Sequence, residues 1–152
     1  MTKQIPDRLI PDVVDAVLET MFFCAVLGPA EPATGGEILE ARVAFRGRLS
    51  GTLGVCLSES SSRLLAAGFL GEDEESLTDA QPGQVVCELA NMLCGSLVSK
   101  LESEESFDLA SPELLPCGNE TVAGSGASPV ARQSFELEGG ILTVTLHLES
   151  AA

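Results

Sequence analysis

Glu88 and Asn91 stand three residues apart in PGQVVCELANMLCGSLVSKLE, the longest helical pattern of the 152-residue chain. On a helix an i, i+3 pair shares one face, with Cβ atoms about 5–6 Å apart. The pair joins a charged carboxylate, which only accepts hydrogen bonds, to a neutral amide that both donates and accepts. Gln84 precedes it by one turn, and Gly95 and Ser99 extend the same face. A glycine inside a helix costs roughly 1 kcal/mol relative to alanine, and close approach by another surface is one reason to keep it. Val86, Leu89, Ala90, Leu93, Leu97 and Leu101 form an apolar stripe on another side. Taken alone, this arrangement has an ordinary explanation, because polar residues opposite an apolar stripe are usually just the solvated side of an amphipathic helix.

The elements that would position this face can be read from local signals. Pro82 suits a first helical turn, and the pattern runs to Leu101 or Glu102 before Ser103–Ser106 ends it. An earlier helix is expected from Pro11-Asp12 to about Leu27, with Val13, Val14, Val17, Leu18 and Met21 inward and Gly28-Pro29 as the stop. Strand-like runs follow at Glu37–Leu49 and Gly51–Leu57, joined by a turn that includes Gly47 and Ser50. Ser58–Ser62 would cap a helix over about Ser61–Leu70, and the acidic stretch Gly71–Asp79 reads as a solvated loop. After the long helix, Leu109–Cys117 carries two prolines and reads as an extended connection. Gly118–Ser128 reads as a Gly- and Ser-rich loop or irregular strand pair. Two last strands, Val130–Leu137 and Ile141–Leu148, flank the hairpin signal Glu138-Gly139-Gly140. The order helix, hairpin, helix, helix, hairpin predicts an α+β domain, an antiparallel sheet covered by helices. Neither a βαβ alternation nor a Gly-rich phosphate loop is present.

Composition narrows the partners. The net charge is −15, with 23 acidic and 8 basic residues, so a nucleic-acid backbone or an anionic membrane surface would be repelled. Aromatic residues are only 4% of the chain, with no Trp or Tyr, too few for a base-stacking platform. Any phosphate chemistry on so acidic a protein must borrow its cations from a partner or substrate. The five cysteines, Cys24, Cys56, Cys87, Cys94 and Cys117, form no CxxC pair and read as buried, reduced thiols. His147 is the only histidine, and zinc-ligand spacing is lacking, so no metal of its own is expected. The N-terminal stretch does not read as a signal peptide, and Val13–Leu27, broken by Asp15 and Glu19, is too short and charged to span a bilayer. A cytoplasmic protein is the expectation.

ELANMLCGSLVSKLE, with Glu88-x-x-Asn91 and Gly95, resembles the signature helix of the CheC/CheX/FliY chemotaxis phosphatases. DAVLETMF resembles the opening helix of CheX-type domains, and FRGRLSGTLGVCLSESSSRLLAAGFLG their first hairpin and second helix. SPELLPCG, with Pro112, resembles the strand entry after the signature helix. The likeness covers roughly residues 12–148 and implies one CheX-like domain over 1–152. Two departures stand out. Gln84 occupies a position where the family often has an acid or Ser. In two-site relatives the first helix carries a second Glu/Asn pair, but VVDAVLETMFFC laid over VVCELANMLCGS puts Ala16 and Glu19 there. A single site is therefore expected.

The resemblance implies an activity. The family removes the aspartyl phosphate of CheY-like receiver domains. Asn91 would orient the attacking water and Glu88 would pair with the receiver's lysine. Gln84, Gly95 and Ser99 would line the contact, and the Mg²⁺ would be the receiver's, leaving the chain with no cofactor of its own. CheX-type members form homodimers through their sheets, and Ile141–Leu148 offers a long strand for such pairing. Two other classes remain open. One is a non-catalytic receiver-binding or assembly module on the same scaffold, which would bind a phosphorylated receiver without changing its lifetime. The other is a ligand-binding or structural domain that binds no receiver.

Overall fold

The computed structural model describes residues 8–31, 38–47, 50–101, 108–115 and 131–148. In chain order these form α1 (Leu9–Met21), β1 (Gly28–Ala30), β2 (Ile38–Arg46), β3 (Gly51–Ser58), α2 (Glu59–Leu70), α3 (Gln81–Leu101), β4 (Asp108–Leu109), β5 (Glu113–Leu115), β6 (Ala131–Leu137) and β7 (Gly140–Leu148). The strands make one antiparallel sheet in the order β1-β6-β7-β3-β2-β4, with β5 also paired to β2. The predicted α+β class is what the chain adopts.

Two-residue alternation sets the faces of the sheet. Ala41, Val43 and Phe45 of β2, Leu53, Val55 and Leu57 of β3, and Leu142, Val144 and Leu146 of β7 are buried together. They meet Val86, Leu89, Leu93 and Leu97 of α3 in one core cluster. Full burial of each such side chain contributes about 1.5–3 kcal/mol, so this seam fixes how α3 is rotated. With that rotation set, its polar residues must face outward.

Capping follows local chemistry. The Thr78 amide donates to Gln81 Oε1 at 2.8 Å, half of a capping box ahead of α3. Ser58 caps α2 by accepting from the Ser61 amide at 3.3 Å, so that helix begins at Glu59, two residues before the predicted start. Gly71, at φ 68°, closes it in the left-handed conformation that glycine tolerates. The hydroxyls of Ser60 and Ser61 donate to the Gly139 and Glu138 carbonyls, at 2.7 and 3.1 Å, and so pin α2 to the β6–β7 turn. Gly139, at φ 88°, supplies the positive φ that this two-residue hairpin requires.

Several expectations are corrected. The first helix stops at Met21, not near Leu27. The Phe22 and Cys24 amides both reach back to the Leu18 carbonyl, and Phe23 turns the chain at φ 54°. Gly28–Ala30 then pairs with Ser134–Glu136, satisfying backbone groups that a longer helix would have kept from the sheet. Met21, expected inward, is exposed because it lies at that turn. The connection after α3 holds two short strands, β4 and β5, both on β2. In the acidic stretch before α3, Glu74–Ser76 forms a 3-10 turn, and Leu77 is buried. Gly140–Leu148 is no edge strand: β3 and β6 flank it on both sides, so it cannot pair across a dimer. The readings at Ser103–Ser106 and Gly118–Ser128 lie outside the described residues.

Candidate functional site

Glu88 and Asn91 lie on the outer face of α3, away from the sheet, with Glu88 exposed and Asn91 half-buried. The neighbours that bury this helix, Val86, Leu89, Ala90 and Leu93, are locked in the core, so the two polar side chains sit on rigid backbone. Among the described residues, no side-chain hydrogen bond or ion pair holds either one, and both are free to engage a partner. Gln84 and Ser99 are exposed on the same face, and Gly95 is half-buried there. The structure brings all five predicted positions onto one side of one helix.

Gly95 is informative for what it does not do. Among the described residues, a Cβ added there would meet only Leu109 Cδ1, at 3.6 Å, an ordinary contact. Packing among the described residues therefore does not demand glycine at this point. Gly83 is different, since an added Cβ would come within 2.7 Å of Leu114 Cδ2. There the chain following α3 lies directly against its first turn.

This close approach at Gly83 forms one wall of a groove of about 450 Å³ beside the site. Leu39, Pro82 and Leu114 provide apolar surface, and Glu59, Arg63 and Asp79 provide charge. Arg63 is held by a hydrogen bond from Nη2 to the Glu74 carbonyl, at 2.9 Å. Gln84 and Cys87 belong both to the groove and to α3, which makes groove and site continuous. Sequence reasoning missed the groove because Leu39, Arg63 and Leu114 come from three distant segments.

The cysteines correct another expectation. Only Cys94 is buried; Cys24, Cys56 and Cys87 are half-buried, and Cys117 lies outside the described residues. Burial pushes the Cys94 thiol up to about 12. Burial, with Glu40 nearby, pushes Cys56 up to about 11. Cys87, next to Glu88, is also raised, first by burial and then by that carboxylate. These four thiols are protonated at neutral pH, and nothing near Glu88 and Asn91 is set up as a thiolate nucleophile.

Residues 39–136 match the chemotaxis phosphatase CheX family. The chain belongs to that family. No functionally curated protein matches the sequence. Among solved structures, it is similar to CheX of Borrelia burgdorferi, in a CheX–CheY–BeF₃–Mg²⁺ complex. That likeness has a TM-score of 0.74 at 17% identity and covers 97% of this chain and 100% of that one. It is also similar to the chemotaxis protein CheX of Vibrio vulnificus, with a TM-score of 0.73, 19% identity, and coverage of 98% and 100%. A CheC-like protein from a Shewanella species follows, with a TM-score of 0.70, 19% identity, and coverage of 96% and 100%. At these identities the likeness establishes the CheX fold. Among the described residues no helix is long and apolar enough to cross a membrane.

Proposed function

We propose that this protein accelerates hydrolysis of the aspartyl phosphate on a CheY-like response-regulator receiver domain. The observation that carries the reading is the outward pair Glu88–Asn91, unengaged among the described residues and fixed on their longest helix in a CheX-family fold. Asn91 enters the receiver's active site. Its amide oxygen accepts a hydrogen bond from a water and aims that water's lone pair at phosphorus, in line with the bond to the aspartyl oxygen. As the new P–O bond forms, the bond to aspartate breaks. Inorganic phosphate leaves and the receiver carboxylate is restored.

This division of labour suits the chemistry. Phosphoryl transfer depends on positioning and charge stabilisation more than on a strong base. Positioning alone can remove up to about 7–11 kcal/mol of barrier in ideal cases, and one inserted amide supplies part of that. The receiver's Mg²⁺ and lysine provide the cations that a chain of net charge −15 lacks. Glu88 pairs with that lysine and sets the register of Asn91. Gly95 leaves room for the receiver's backbone, and Gln84 and Ser99 extend the contact.

The reading places the protein in the cytoplasm with its receiver. It also makes it a homodimer joined at a sheet edge. β1 covers only Ser134–Glu136, so Ala131–Gln133 of β6 keep an open side among the described residues, and pairing belongs at that end instead of at β7. Sedimentation at micromolar concentration should give a dimer, and a monomer would remove that part. The activity itself is tested by loss of phosphate from purified receivers phosphorylated with a small-molecule donor. The wild-type protein should shorten the lifetime of at least one receiver. Phosphorylation-dependent binding with an unchanged lifetime would make it a receiver-binding module instead.

A further inference from the structure

We propose that the groove at the start of α3 is a second docking point for the same receiver, one that takes an apolar side chain flanked by Lys or Arg and selects among receivers. The inference rests on the phosphatase reading above and adds to it the basis of partner choice.

The first argument is continuity. Gln84 lies one helical turn before Glu88 and also lines the groove. A receiver whose active site covers Glu88 and Asn91 therefore has surface directly over the groove mouth. The second argument is shape. Leu114 is 47% exposed, on a short strand pressed against Gly83, and with Leu39 and Pro82 it offers apolar surface in a cleft of about 450 Å³. That volume holds one or two side chains of a docking loop, not a folded element. The third is charge. Glu59 and Asp79 line the groove, and Glu88 lies one helical turn beyond Gln84, against one guanidinium, Arg63, which is tethered to the Glu74 carbonyl. An apolar cleft with an acidic rim favours a segment that is apolar at its tip and basic beside it. It disfavours an acidic segment, because like charges across an interface repel.

Such a contact acts on recognition and not on the chemical step, because none of its residues reaches the reacting phosphoryl group. It should therefore change KM and leave kcat alone. The test is steady-state phosphate release from one receiver that the wild type turns over, at low and high salt. Asp79→Lys should raise KM about tenfold and Leu114→Ser about fivefold, with kcat within about twofold of wild type. The Asp79→Lys defect should shrink at high salt, where exposed charges are screened. Glu136→Lys, exposed on β6, makes the same change of charge away from the groove and should leave KM near wild type. If both groove variants keep wild-type KM while the wild type remains active, the groove is overturned and the phosphatase reading stands. If the wild type accelerates no receiver, both are overturned.

Discussion

Helices α1 and α3 are built to one plan and put to different uses. Laid over each other without a gap, Val13, Val14, Val17 and Leu18 of α1 and Phe22 just past its end correspond to Val85, Val86, Leu89, Ala90 and Cys94 of α3, and all ten are buried. The two helices also pack against each other. The outer faces differ. Where α3 presents Glu88 and Asn91, α1 presents Ala16 and Glu19, both exposed. Beyond that point α1 ends at Met21, whereas α3 runs on through Gly95 and Ser99. The buried face is dictated by the shared core. The outer face is free of that demand, so a polar pair there is a choice that packing does not make.

Substitutions at buried leucines of the two helices should show how alike the frameworks are. Leu18→Ala and Leu89→Ala each empty a fully buried site and should each lower unfolding free energy by about 2–5 kcal/mol. Urea titration would measure this, and a loss confined to one helix would break the parallel. The outer faces should behave in the opposite way. Glu88→Lys puts a like charge opposite the receiver lysine and should weaken receiver binding by at least about tenfold, roughly 1.4 kcal/mol, with little change in stability. Titration calorimetry with a beryllofluoride-activated receiver would read it.

Transplanting the pair sharpens the comparison further. Ala16→Glu with Glu19→Asn changes only exposed positions, so stability should move by no more than about 0.5 kcal/mol. Placed in an Asn91→Ala background, the transplant should not restore phosphate release, because α1 ends at Met21 and has no helical continuation matching Gly95 and Ser99 of α3. Restored activity would mean that the pair alone suffices.

The smallest expected effect lies across the sheet from the helices. Among the described residues His147 Nε2 is enclosed without a hydrogen-bond partner, and burial, then Arg42, push this histidine below its ordinary value of 6.5. The folded state thus binds the proton more weakly than the unfolded one. Stability should be complete above the ordinary histidine range and decline as pH falls through it. His147→Gln should flatten that decline between about pH 7 and 5, as read by urea midpoints.

These contrasts also explain what could be read in advance. α3 and its outer face were legible because twenty-one helical residues repeat one period many times. The β6–β7 hairpin was legible because Gly139 has to supply a positive φ. β1, β4 and β5 were not, since strands of two or three residues carry no periodicity and exist only through their partners in the sheet. The end of α1 was missed for a related reason: the apolar run Met21–Leu27 continues past the helix, and pairing of Gly28–Ala30 with β6 decides where it turns. The interior place of β7 likewise depends on β3, far away in sequence. At the site, spacing found Glu88 and Asn91 on one helix, whereas the groove joins segments that no local pattern connects.

In the proposed division of labour Asn91 does the chemistry while Glu88 and its surroundings hold the receiver. The most direct measurement follows phosphate loss from one phosphorylated receiver with wild type and Asn91→Ala side by side, together with the affinity of each for the beryllofluoride-activated form. Asn91→Ala should fall to the receiver's own hydrolysis rate while binding within a few-fold of wild type. Asn91→Ala that turns over phosphate at the wild-type rate would contradict that division.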